Sequence, residues 1–255
     1  MTEEFFRSLV LGSKLSLFVP AFSGIVSWSK HTTIQKRICA VVGVSRFVEL
    51  FALGRPSIVN RLLSICCGVS DNNLPGLHLF TLLQFLLILW VYQDFLDKKL
   101  SSRGRWFLGF SFIVFAIINA VWIDGIWKLN PHARAVQSLI LLGIIFTYLF
   151  NLLQKAGGDD AFSHSTTTYG RTVITVNKPN DFTKNEKAVQ LEKLPLFWVS
   201  AGLLIYFSGS FFIFLAGNYF LPERQTLMAI YGIHSILNIL ANIFYGIALW
   251  VKPAD

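Results

Sequence analysis

The side chains able to do chemistry are sparse in this chain, and most sit inside long apolar runs. The densest set lies between Gln225 and Trp250, in QTLMAIYGIHSILNILANIFYGIALW. There Tyr231, His234, Ser235, Asn238, Asn242 and Tyr245 recur at helical spacing and fall within roughly a 100° stripe of one helix. An imidazole beside carboxamides and a phenol can bind a polar ligand, relay a proton or hold neighbouring helices by hydrogen bonds. In hydrocarbon such groups need partners, so the stripe is expected to face other helices or an aqueous cavity. Elsewhere the candidates are Glu49, three residues after Arg46, then His78, Asn119, Asp124, His132 and Tyr206.

The elements that carry these residues follow from composition. Of 255 residues, 54% are hydrophobic and 14% charged, with a mean hydropathy of +0.56. Soluble domains carry about 25% charge. The apolar residues gather into runs of about 18 or more, and the alternation of a membrane β-barrel is missing, so the expected fold is all-α, a polytopic membrane protein. Seven transmembrane helices are expected, near residues 10–27, 38–53, 77–95, 106–123, 135–153, 195–216 and 226–251, in a single domain covering 1–255. The first two are short and contain Lys14, Arg46 and Glu49. Cys39, Cys66 and Cys67 form no disulfide framework or CxxC spacing, and the acidic start Met-Thr-Glu-Glu is not that of a cleaved signal peptide.

The net charge of +8 would suit nucleic acid, but the lysines and arginines lie between spans, where orientation and anionic lipid account for them; no nucleic-acid partner is expected. Alternate loops carry seven and fourteen of these cations, counting each terminus with its side. The positive-inside rule then puts the N-terminus outside and the C-terminus in the cytoplasm. On that topology Glu49, His78, Asn119 and His234 fall in the outer half of the membrane, which defines an outward-facing polar pocket together with Tyr206 and Asn238. The cytoplasmic loop 154–194 is the one sizeable extramembrane segment. Its Gly157-Gly158-Asp159-Asp160 and Ser/Thr run read as connector, and RTVITV at Arg171–Val176 as one arm of a short hairpin. Ile58–Cys67 is expected to lie as an interfacial helix.

Other chemistries are thinly supplied. His78, Asp124, His132 and His234 are plausible metal ligands on four separate segments, with His78, Asp124 and His234 the leading candidates and no HxxxH or HExxH spacing to bind them together. Ser208 and Ser210 lack a GxSxG context. A retinal Schiff base is excluded, because the last span has no lysine before Lys252. Gly202, Tyr206, Gly209 and Ala216 share one face of the sixth span, a small-residue surface for close packing on the seventh.

The stretches NNLPGLHLFTLLQFLLIL, LPLFWVSAGLLIYFSGSFFIF and IHSILNILANIFYGIALW resemble a group of uncharacterised bacterial seven-helix membrane proteins. The resemblance rests on Asn72, Asn73, His78, Phe197, Trp198, Tyr206, Ser208, Gly209, His234, Leu237, Asn238 and Ile239. It implies a seven-helix fold in a bacterial inner membrane and, through association of some members with signalling kinases, a sensory role with a kinase or other membrane-protein partner. It points to no known chemistry and leaves any cofactor unassigned. The leading expectation is a seven-helix sensor or transducer with the outward polar pocket as its ligand site. An intramembrane metal-dependent lipid hydrolase and a structural subunit of a membrane complex are the alternatives.

Overall fold

The computed structural model describes residues 2–53, 74–126, 130–156, 190–217 and 224–252. All the regular elements among them are helical. The chain opens with α1 (Glu3–Ser16) and α2 (Phe18–Val26). Thr2 caps the first helix by accepting from the Phe5 N–H, and Glu3 and Glu4 occupy the positive end of its dipole. The two helices form one apolar stretch broken at Leu17. Pro20 explains the break: it has no N–H to give the Ser16 carbonyl, and its ring crowds that carbonyl in a continuous helix.

A 3-10 turn, Trp28–Lys30, leads to α3 (Thr33–Leu53), which starts five residues earlier than expected. Its start is a capping box. The Gln35 N–H donates to Thr32 Oγ1 at 3.3 Å, and the Thr32 N–H donates to Gln35 Oε1 at 3.0 Å. After α4 (Leu74–Val91) the chain bends by 69° at Tyr92 into the short α5 (Gln93–Lys99). Tyr92 and Ser200 hydroxyls meet at 2.6 Å at the bend, and Arg37 donates to Asp94 at 2.9 Å just beyond it.

Helix α6 (Ser102–Ile118) continues through a π-helical turn, Asn119–Ile123. Then come α7 (Pro131–Ala156), α8 (Pro195–Gly217) and α9 (Arg224–Trp250). Proline stands first in α7 and α8, where a missing N–H is harmless.

The core gathers large side chains from α3, α4 and α6 to α9, with Ile38, Phe85, Tyr92, Leu141, Ile145 and Val199 almost fully enclosed. Helices α8 and α9 pack closest. A Cβ at Gly202 would lie 2.6 Å from Phe244 Cβ, and one at Gly209 would collide with Leu237, so both glycines serve the close approach expected of this face.

The outer surface is apolar instead. Trp106 and Phe107 of α6 are each 72% exposed, and Phe146, Phe150 and Phe212 are also open. Exposed apolar surface on this scale needs a non-aqueous surround.

Five helical stretches are long and apolar enough to cross a membrane, or six if α4 and α5 form one bent span. Together they suggest an integral membrane protein. The expected second span is the one that falls short. At 21 residues α3 can reach about 30 Å, but Lys36, Arg37, Arg46 and Glu49 along it break the apolar run. The hairpin arm in Arg171–Val176, the interfacial helix at Ile58–Cys67, Asn72, Asn73 and the Arg46 and Glu49 side chains lie outside the described residues.

Candidate functional site

One cavity of about 280 Å³ lies where α3, α4, α7, α8 and α9 face each other, beside the α1–α2 junction. At ~30 Å³ per molecule it has the volume of about nine waters. Helix α9 supplies much of its polar wall through His234, Asn238, Asn242 and Tyr245. These are spaced by four, four and three residues, so helical geometry puts them on one face. Ser45 of α3, Gln84 of α4, Arg134 of α7 and Tyr206 of α8 complete the polar lining, while Leu17, Val42, Phe80 and Leu203 make much of the rest apolar.

Packing and hydrogen bonds hold several of these polar groups. His234 Nδ1 is 3.3 Å from Ser210 Oγ, and the imidazole stands between the rings of Tyr206 and Phe214, with centroids at 5.6 and 5.5 Å. Gln84 Oε1 accepts from Gln137 Nε2 at 3.2 Å, tying α4 to α7. Asn238 donates to Ser13 Oγ and Asn242 to Ser16 Oγ, both at 2.8 Å. Two cavity-lining amides therefore also hold α1. The guanidinium of Arg134 sits 4.7 Å from the Phe214 ring centroid in a cation–π contact, near Tyr206 and His234.

Of the six expected ligand-site residues, Tyr206, His234 and Asn238 line this cavity. His78 does not. Leu77, Phe80 and Gln84 form the cavity face of α4, and His78 lies about 100° round the helix from Leu77. Asn119 is also elsewhere. It is fully enclosed in the π-helical turn and donates to Asp124 Oδ2 at 2.7 Å. Asp124 Oδ1 in turn lies 2.6 Å from His132 Nδ1. Asn119, Asp124 and His132 thus make a separate chain of polar contacts joining the end of α6 to the start of α7. The Glu49 side chain is outside the described residues; by register its backbone position follows Val42 and Ser45 along α3.

The candidate metal ligands His78, Asp124 and His234 are not assembled into one site. Among the described residues no three histidine, cysteine, aspartate or glutamate side chains group to hold an ion.

Arg134 is a cavity-lining residue that the apolar pattern does not reveal, because it lies before the apolar run of the fifth expected span. The signal was present in Asn130-Pro131-His132-Ala133-Arg134. Proline at the first helical position starts α7 early and makes Arg134 a first-turn residue pointing inward. Asn130 supports that start, donating from its side chain to Thr81 Oγ1 at 2.8 Å on α4.

No protein-family model, curated protein or solved structure matches the chain.

Proposed function

We propose that this chain is a seven-helix integral membrane sensor or transducer that binds a small ligand in the cavity at His234. The observation that carries the reading is the cavity itself, whose polar wall is drawn from five helices. A ligand touching α3, α4, α7, α8 and α9 together can favour one packing of the bundle over another, which is what a transducer requires. In this reading α3 is the second span despite its charges, and α4 with α5 is the third. The N-terminus lies outside and the C-terminus in the cytoplasm of a bacterial inner membrane. The cavity then opens toward the outer side, and Lys98, Lys99 and Arg103 around α5 face a cytoplasmic or membrane-bound signalling partner, such as a kinase.

Asn238 and Asn242 supply a route for the signal. Each lines the cavity and holds α1 through Ser13 or Ser16. A ligand that draws either amide toward the cavity weakens its bond to α1. The same bonds favour a second reading, a structural subunit in which the polar stripe serves only to join helices.

The test is purification in mild detergent from the native membrane, with mass spectrometry and metal analysis on one sample. The sensor reading expects a copurifying signalling protein. Metal near one atom per chain would overturn it in favour of an intramembrane hydrolase, and a fixed multi-subunit stoichiometry without a signalling protein would favour the structural subunit.

A further inference from the structure

We propose that the cavity selects a small organic anion, a carboxylate on a compact apolar or aromatic body, with Arg134 as its counter-charge. The inference rests on the cavity being a ligand site and adds the chemical class of the ligand. Arginine remains ionised in proteins, so α7 presents a permanent positive charge to the cavity between helices. Among the described residues no carboxylate forms an ion pair with it, and no aspartate or glutamate lines the cavity. Its close neighbours are the Phe214 ring, Tyr206, Tyr231 and the His234 imidazole, none of which carries a carboxylate. A ring face offsets only part of what a guanidinium loses on leaving water. A bound anion supplies the remainder, and guanidinium–carboxylate pairing is strong and directional.

The rest of the wall matches such a ligand. Gln84, Tyr206, Asn238 and Tyr245 carry amide or hydroxyl groups able to donate to carboxylate oxygens. Interleaved with them, Leu17, Val42, Phe80 and Leu203 offer apolar surface for the ligand's body. A volume of about 280 Å³ limits that body to roughly the size of one aromatic ring or a short aliphatic chain. A whole phospholipid does not fit in this volume, and a soluble carboxylate, benzoate, serves as the probe.

The experiment uses the full chain in nanodiscs, with Cys39, Cys66 and Cys67 changed to serine and Ser45→Cys placed in the cavity wall. Its labelling rate is measured with a neutral, an anionic and a cationic methanethiosulfonate of similar size. The neutral reagent reports whether water reaches the cavity. The ratio of the two charged rates reports the sign of its potential. The expected result is labelling by all three, with the anionic reagent faster than the cationic by about tenfold or more.

Arg134→Gln should remove that ratio and Arg134→Lys should largely keep it. Millimolar benzoate should slow the neutral reagent, whereas benzamide, its uncharged isostere, should not. If the neutral reagent labels but the charged pair react equally, or benzamide protects as well as benzoate, the anion class is overturned and the cavity stands as a ligand site. If the neutral reagent fails to label at all, the ligand-site reading falls as well. An anionic preference that appears only after Glu49→Gln would identify Glu49 as an internal counter-ion, and that result also overturns the proposal.

Discussion

The α8–α9 seam gives a prediction whose magnitude can be worked from geometry. In Gly202→Ala the added Cβ starts 2.6 Å from Phe244 Cβ, 3.2 Å from its Cγ and 3.5 Å from Ala241 Cα. The nearest atom is attached directly to the α9 backbone, so no rotamer change relieves the contact. Carbon atoms settle at about 3.5–4.0 Å, and the two helices must therefore separate by roughly 1 Å. Overpacking of this kind costs about 1–3 kcal/mol.

Against that, alanine is favoured over glycine in a helix by about 0.8–1.0 kcal/mol. Gly143 on α7 isolates the second effect, because a Cβ there meets nothing within 4 Å. Gly143→Ala should therefore be neutral or stabilising by up to about 1 kcal/mol, while Gly202→Ala should be destabilised by about 0–2 kcal/mol and be less stable than Gly143→Ala by about 1–3 kcal/mol. The assay is reversible unfolding of the full chain in mixed micelles with rising dodecyl sulfate, followed by tryptophan fluorescence. Equal stability of the two alanine variants would refute the claim that Gly202 is required for close approach.

Three further outcomes follow from hydrogen bonds across the bundle. Gln35→Leu keeps the volume of a side chain that is 2% exposed, but it removes bonds to the Thr32 N–H and to the Ala248 and Val251 carbonyls. It should destabilise by about 2–3 kcal/mol and speed amide exchange in the last turn of α9; unchanged exchange there would contradict the capping role. Asn238→Ala and Ser13→Ala, combined in a double-mutant cycle, should couple by about 0.5–1.5 kcal/mol, and additivity would show that the bond contributes nothing. Asp124→Ala leaves the enclosed Asn119 amide without its acceptor and should cost about 2–3 kcal/mol. His132→Ala should cost less than about 1 kcal/mol because its side chain is mostly exposed. The same unfolding assay ranks the two, and equal losses would mean that Asp124 acts mainly through His132.

Much of this architecture is legible in the sequence because hydrophobic length and helical period are local properties. The expected spans from residue 77 onward match α4 and the helices after it to within a few residues at most ends, and His234, Asn238, Asn242 and Tyr245 of the α9 stripe line a cavity, whereas Tyr231 and Ser235 do not. What a window of apolar residues cannot register is a single backbone atom. Pro20 breaks the first span through a missing N–H, and Pro131 starts α7 ahead of its apolar stretch, which moves Arg134 from loop to wall. The capping box at Thr32 and Gln35 is a T-x-x-Q pattern that lies ahead of the apolar run, so α3 begins earlier than that run predicts. His78 shows another limit. Depth along a span follows from residue number, but the direction a side chain faces depends on which helices become neighbours. The 69° turn at Tyr92 likewise has no breaker residue to announce it. Its ties are to Ser200, far along the chain, and through the next turn to Arg37.

The bonds from Gln35 to Ala248, Ser13 to Asn238 and Ser16 to Asn242 span 213, 225 and 226 residues. They join the beginning of the chain to its last helix. During synthesis at about 5–20 residues per second, the first helices wait roughly 10–40 s for these partners. Until then Ser13, Ser16 and Gln35 must be satisfied by water, lipid headgroups or the insertion machinery, and the cavity lacks the polar wall that α9 supplies. Bundle closure is therefore a late event, after most helices are made, and its loop-closure entropy falls on one step. A chain stopped before residue 224 would hold every helix but α9, and it would expose the small-residue face of α8 and the hydroxyl face of α1 together. Quality-control proteases that recognise unpaired polar groups in membranes would meet both on the same molecule.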